Sequence, residues 1–238
     1  MAGLGEVWQG FSSTNGVTMK QMKAAALVLD FDLYPRNNVD PANIQRIINA
    51  MVSGIELPPV IIDRKSKRVV DGFHRVRGAL RLYGDDAEVT VIEKNYASDA
   101  DLFLDAARYN AVHGQPMDNC DRTHCLIVAE RLGIGLDAIA GALSMPEDKL
   151  GQLKDTRVAR GTDGLSVPLK RTVMAFHGRK LTVRQQEANR KLSGMNQVFY
   201  ANQLIELIES KMLDLDDESL IQRLAKLHEL LGGVIAMA

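Results

Sequence analysis

The run Val69-Val70-Asp71-Gly72-Phe73-His74-Arg75-Val76-Arg77-Gly78-Ala79 constrains the fold more than any other segment. A β-branched pair closes a short strand. Asp71-Gly72 makes a tight turn, and a helix then runs to about Tyr83 and stops at Gly84. The first backbone N–H groups of such a helix have no partner inside it, and its dipole is positive at that end. His74, Arg75 and Arg77 add donors and charge there. Gly72 lets the backbone come close to a ligand. Those features together specify an anion site suited to phosphate. A plain strand–turn–helix with solvated basic residues would read the same way.

The flanking pattern is that of an α+β chain. Residues 1–23 are rich in Gly, Ser and Thr with Trp8 and Phe11 inserted, and read as an irregular arm. Residues 27–33 read as a strand. Asp40 caps a helix with Pro41 at its first position, and Gly54 ends it. Residues 60–63 and 68–70 form a hairpin across Arg64-Lys65-Ser66-Lys67. Residues 88–93 make a further strand, and Ser98 with Asp101 opens a helix that reaches His113. A small mixed sheet with packed helices follows from this order.

From Asp121 the pattern turns all-helical. Helices are expected at 122–132, 136–143 and about 147–160, with a tight turn at Ser144-Met145-Pro146. Two short helices, a turn and a third helix exposing Lys149, Gln152, Lys154 and Arg157 describe a helix-turn-helix. An ordinary three-helix bundle is the alternative. Gly161-Thr162-Asp163-Gly164 reads as a linker, residues 172–186 carry no clear assignment, and helices are expected at 186–192, 198–212 and 218–231. The last carries Leu220, Ile221, Leu224, Leu227 and Leu231 at helical spacing, a stripe suited to a core or to a dimer seam. The expected division is an arm at 1–26, a sheet domain at 27–117, a helix-turn-helix domain at 118–160 and a helical region at 161–238.

The net charge of −1 hides an asymmetry. Residues 151–191 hold ten Lys/Arg against three acids, and residues from 204 onward hold three against seven. One part is suited to a polyanion and another is not. No stretch has signal-peptide or membrane-span character, so a cytoplasmic protein without membrane contact is expected. Cys120 and Cys125 lie five apart on an expected helix, an awkward geometry for a disulfide, and no Cys/His set completes a zinc site.

Four segments together resemble the ParB/sulfiredoxin superfamily over about residues 27–160. Asp71-Gly72-Phe73-His74-Arg75 resembles the phosphate motif, which is Gly-Glu-Arg-Arg in partition ParB proteins and Asp-Gly-His-His-Arg in free serine kinases. Leu33-Tyr34-Pro35-Arg36 resembles the first box, and residues 54–63 resemble the Gly-x-x-x-Pro strand segment. Residues 107–114 resemble the later Glu-Asn-x-x-Arg box, with Tyr109 in place of Glu and His113 near the usual Arg. The resemblance implies a ParB-like domain followed by a helix-turn-helix and C-terminal helices. It implies a nucleoside triphosphate site, CTP by preference, in which Gly72, Phe73, His74, Arg75 and Arg77 hold phosphates and Asn110 helps hold Mg²⁺.

Function then divides. In one reading the chain is a ParB-like duplex-DNA-binding homodimer, a regulator or partition-type factor of a phage, plasmid or mobile element by analogy. Gln152 would read bases while Lys149, Lys154, Arg157 and Arg160 hold the backbone. In the other the same fold is an NTPase or phosphotransferase, with Asp71 as base or metal ligand and Glu56 as a second acid. No carboxylate cluster of a two-metal nuclease is visible, and Phe73 stands where a sulfiredoxin needs its Cys. In a third, the phosphate site survives only as a clamp for the DNA backbone.

Overall fold

The computed structural model describes residues 19–112, 115–192 and 194–236. Trp8, Phe11, His113 and Gly114 lie outside them. The chain divides into two units, one up to Gly194 and one from Met195 onward.

A four-stranded mixed sheet organises the first unit. Its strands are β1 (Met19–Lys23), β2 (Val60–Asp63), β3 (Val69–Asp71) and β4 (Glu88–Lys94), in the spatial order β1-β4-β2-β3. β2 runs parallel to β4 and antiparallel to β3. β2 is buried throughout, as expected of a strand covered on both faces. Its alternation sorts the two cores. Val60 and Ile62 pack with Val69, Val91 and the helix α2 (Phe73–Tyr83) through Phe73, Val76 and Ala79. Ile61, Val70 and Ile92 face the opposite way, onto α3 (Asp99–Val112). That second cluster continues through α4 (Asn119–Arg131), α5 (Leu136–Ala142) and α6 (Glu147–Arg157), so one core crosses residue 117.

The helix ends follow from capping chemistry. α1 (Pro41–Val52) starts where the Asp40 carboxylate accepts from Ala42 N–H, and α4 where Asp118 accepts from Asp121 N–H. Each cap contributes about 1 kcal/mol. Ser98 opens α3 by accepting from Asp101 N–H. Ser144, with φ of 50°, turns the chain between α5 and α6.

Three expectations need correction. The segment 27–33 is not a strand. Only Val28 bridges the β3 edge, through Val28 N–H to Lys67 O and Val69 N–H to Val28 O, before the Asp30 carboxylate takes Asp32 N–H and turns the chain. The strand lies earlier, at β1, inside the expected arm. It is an edge strand, mostly exposed, paired antiparallel with β4; its Lys20, together with Lys67 of the β2–β3 turn, reaches Glu93 and holds that carboxyl at about 2. Finally, the chain beyond Asp121 is not all helical. α6 stops at Arg157, and β5 (Val158–Arg160) and β6 (Ser166–Pro168) form a hairpin whose turn is the expected linker. Asp163 accepts from Leu165 N–H to tighten that turn, and Leu169 N–H takes the Arg157 carbonyl and closes the helix end. Behind the hairpin, Ala159, Leu169 and Leu181 form a small core under α7 (Val183–Lys191), which Thr182 and Gln185 cap reciprocally.

The second unit consists of α8 (Gln197–Glu209) and α9 (Glu218–Ile235). No described residue of either helix is buried. No helix among the described residues is long and apolar enough to cross a membrane.

Candidate functional site

A cleft of about 240 Å³ lies in front of the α2 N-terminus. The turn into α2 places it there. Gly72 sits at φ 109°, ψ 18°, a left-handed conformation, and has no side chain to cap the helix. The first intrahelical bond is Val76 N–H to Gly72 O, so the amides of Phe73, His74 and Arg75 precede the helical ladder. A Cβ on Gly72 would lie 3.0 Å from Arg75 Nε, Arg75 Nη2 and Val60 Cγ2.

The walls come from distant parts of the chain. Tyr34 and Arg36 enter from the loop before α1, Asn43 and Ile47 from α1, Leu57 and Pro58 from the loop before β2, and Asn110 from α3. Arg36 organises the far wall. Its Nε donates to Asn110 Oδ1 at 3.0 Å, its Nη1 stands 3.5 Å from the Asp121 carboxylate, and its Nη2 donates to the Gln115 carbonyl. Only 9% of its side chain is exposed.

Two polar atoms here are buried without a hydrogen-bond partner among the described residues: Arg75 Nε and Tyr34 Oη. Native proteins rarely leave such groups unpaired, which makes both atoms candidate contacts for a bound group. Burial pushes the Tyr34 phenol well above its ordinary range, which keeps it a neutral donor.

His74 is half-buried at the same place. Asp40 N–H donates to its Nε2 at 3.2 Å. Nε2 is therefore the acceptor nitrogen, and Nδ1 carries the proton of the neutral ring. Burial lowers its pKa from 6.5, and Arg36 adds to the effect. Asp71 lines the cleft with its carboxylate 2.7 Å from Arg75 Nη2. That ion pair already engages the acid expected to serve as a base.

The structure thus brings together Asp71, Gly72, Phe73, His74, Arg75 and Asn110 around one cleft. Phe73 contributes packing, only 2% exposed and stacked on Tyr34 at 4.3 Å. Arg77 is not among the lining residues; it is exposed, with its guanidinium 5.6 Å from the Phe31 ring. Glu56 is exposed on the loop before Leu57 and does not line the cleft either. Asn110 does not fit a magnesium ligand as placed. Its Oδ1 accepts from the Arg36 guanidinium and its Nδ2 donates to Ala106 O, so the oxygen faces a cation. Among the described residues no group of three or more His, Cys, Asp and Glu could hold a metal ion. Arg36, Asn43 and Gln115 were not foreseen as site residues. Only the resemblance of the Leu33–Arg36 box hinted at Arg36.

The second candidate surface is α6. Lys149 and Gln152 are exposed on it, opposite the buried Leu150 and Leu153. Lys154 is paired with Glu130 of α4, Arg157 is half-buried at the helix end, and Arg160 lies exposed on β5. Both cysteines are buried free thiols, and burial pushes Cys120 up to about 12.

No protein-family model matches the chain. It is 28% identical over 181 residues to the "Streptomycin biosynthesis operon possible regulatory protein" of Streptomyces griseus, covering 71% of this chain and 50% of that protein. It is 41% identical over 63 residues to the "Transcriptional regulator NovG" of Streptomyces niveus, covering 26% of this chain and 19% of that one. The chain therefore spans half the length of one relative and about a fifth of the other. Similar solved structures include a pNOB8-like ParB N-domain, at TM-score 0.39 and 15% identity over 64% of this chain and 57% of that one. A C-terminally truncated ParB from Caulobacter crescentus with CTP-γ-S is similar at TM-score 0.35 and 14% identity, over 56% and 74% of the two chains.

Proposed function

We propose that this chain is a ParB-like, DNA-binding transcriptional regulator whose cleft at the α2 N-terminus takes a nucleoside triphosphate. One observation carries the nucleotide half: the buried, unpartnered Arg75 Nε and Tyr34 Oη lie at the same helix N-terminus as Gly72 and His74. Phosphate oxygens supply the acceptors that both atoms lack. Arg75 Nη2, the His74 Nδ1–H and the leading α2 amides add three further kinds of donor. The triphosphate carries any Mg²⁺ on its own oxygens, since Asn110 faces Arg36. CTP is the preferred nucleotide on the motif resemblance alone.

The DNA half is supported by α5, the Ser144 turn and α6, which have the lengths and order of a helix-turn-helix with Lys149 and Gln152 outward. The names of both Streptomyces relatives, each a regulator or possible regulator, agree with it. A phage, plasmid or mobile-element setting draws no support from them. The protein acts in the cytoplasm as a homodimer joined through α8 and α9. Those helices expose Val198, Leu207, Ile208, Leu230 and Val234, and short helices without buried side chains need a partner to persist.

Titration of the full chain with each labelled triphosphate, with and without duplex DNA, tests this reading. CTP should bind at micromolar to millimolar concentration and change duplex affinity, and Arg75→Ala should abolish nucleotide binding. Phosphoryl transfer to a hydroxyl substrate without any duplex binding would replace the regulator by an enzyme.

A further inference from the structure

The positive charge of this chain is not on α6. That helix carries Glu147, Asp148 and Asp155 against Lys149, Lys154 and Arg157, so it is neutral, and Lys154 is already paired with Glu130. The next 35 residues, 158–192, hold eight Lys/Arg against Asp163 and Glu187, for a net charge of +6. Seven of the eight are exposed, and none of those seven forms an ion pair with a described residue. The eighth, Lys170, caps the α7 C-terminus by donating to the carbonyls of Arg190 and Leu192.

The backbone gathers part of this charge on one face. Arg160 N–H donates to Arg179 O at 2.9 Å, and Leu181 N–H donates to Arg160 O at 2.8 Å. Arg160 and Lys180 are partners in a parallel bridge, so their side chains leave the same face. Ala159 and Leu181, one residue along on each segment, are buried on the other face. The Arg179 guanidinium rests 5.8 Å from the Phe176 ring. Gln186 ties α7 to the hairpin turn by accepting from Thr162 N–H, and Arg184 lies exposed in the first turn of the same helix. A packed β-scaffold that sets Arg160 and Lys180 on one face, with the Arg179 guanidinium held against Phe176 beside them, keeps positive charge in place with no ion pair among the described residues to neutralise it. That is the requirement for tracking a phosphate backbone.

We infer that the hairpin–α7 module, through Arg160, Arg179, Lys180 and Arg184, is the chain's main phosphate-backbone contact with duplex DNA, separate from α6. The inference rests on the DNA-binding reading above and changes which residues carry its affinity. α6, being neutral, supplies sequence preference and little of the salt-dependent attraction. Duplex DNA is the partner rather than RNA because the module abuts α6 directly, with β5 following that helix without a break.

The test uses the full chain and a short fluorescein-labelled duplex of random sequence, with anisotropy measured between about 50 and 200 mM salt. Replacing Arg160, Arg179 and Lys180 by Gln together should make the log K against log salt slope shallower by about 2 to 3, near 0.9 per lost phosphate contact. Affinity at the low-salt end should fall at least about tenfold. Restoring charge with Lys at 160 and 179, alongside native Lys180, should recover most of the slope, which separates charge from folding. Lys149→Ala with Gln152→Ala should change the slope by about 1 at most. A slope kept by the Gln variant and lost by the α6 variant overturns the inference while leaving the DNA reading intact. A wild type that binds no duplex at low salt overturns both. Single-stranded RNA of equal length bound more tightly than duplex through the same three residues overturns the choice of partner.

Discussion

Gly72→Ala is the sharpest probe of the cleft, because the same substitution strains the backbone and fills the space a ligand needs. At φ 109° an alanine pays the left-handed penalty, about 1–2 kcal/mol. Its Cβ would also stand 3.0 Å from Val60 Cγ2, and Val60 is 1% exposed in a strand covered on both faces, so it cannot give way. Overpacking of that kind costs about 1–3 kcal/mol. The two effects together predict a loss of about 2–5 kcal/mol, or roughly 4–20 °C in Tm for a unit of this size. Gly54→Ala is the matched control. It has φ of 70° with nothing within 4 Å of the added Cβ, so it carries only the backbone strain. Differential scanning fluorimetry of both variants gives the difference directly. Displacement of the Arg75 guanidinium, also 3.0 Å away, should remove triphosphate binding in Gly72→Ala and not in Gly54→Ala. Equal destabilisation of the two variants, with nucleotide affinity preserved in both, would refute the close packing of Gly72 on Val60 and Arg75.

Arg36→Met should cost about 3–5 kcal/mol by chemical denaturation, since it strands the mostly buried Asp121 carboxylate without its cation; a loss below about 1 kcal/mol would contradict the proposed wall. His74 and His124 both have pKa values lowered from 6.5 by burial, so the stability they contribute is present above pH 6.5 and lost as pH falls through their lower folded values. Tm should therefore drop on acidification below pH 6.5, and His74→Gln with His124→Gln should flatten that drop. Glu130→Gln should release Lys154 and steepen the salt dependence of duplex binding by about 0.9, whereas Lys154→Ala in the wild-type background should change little. Leu230→Glu on α9, at an exposed position of the proposed seam, should convert a dimer into a monomer by light scattering, and an unchanged mass would remove α9 from the interface.

Elements were legible where local chemistry alone decides them. Asp40-Pro41 sets the start of α1, and Gly72 and Gly84 bracket α2, because caps and left-handed turns act over a few residues. The strand β1 was not legible. Met-Lys-Gln-Met-Lys has no fully buried residue to betray it, and its place is fixed by antiparallel pairing with the distant β4, Met19 opposite Ile92. The segment 27–33 misled for the opposite reason. Its apolar, strand-like composition begins with Leu27, which packs with residues of α2, and it has no neighbouring strand to pair with beyond one bridge at Val28.

The candidate site shows the same boundary between local and distant causes. Gly72, His74 and Arg75 were readable because they are contiguous and a helix N-terminus makes their chemistry common property. The role of Asn110 was not, because it depends on Arg36, seventy-four residues earlier, reaching its oxygen and turning a metal-ligand expectation into a cation-facing amide. Charge behaved likewise. A window of ten bases against three acids over 151–191 merged three elements of different character. Once α6 ends at Arg157 the window separates into a helix whose acids match its bases and a hairpin–α7 module with almost none. The electrostatic force on a polyanion falls off within about 10 Å at ordinary salt, so it is the folded neighbourhood of each cation, and not the sequence window, that sets where DNA is held.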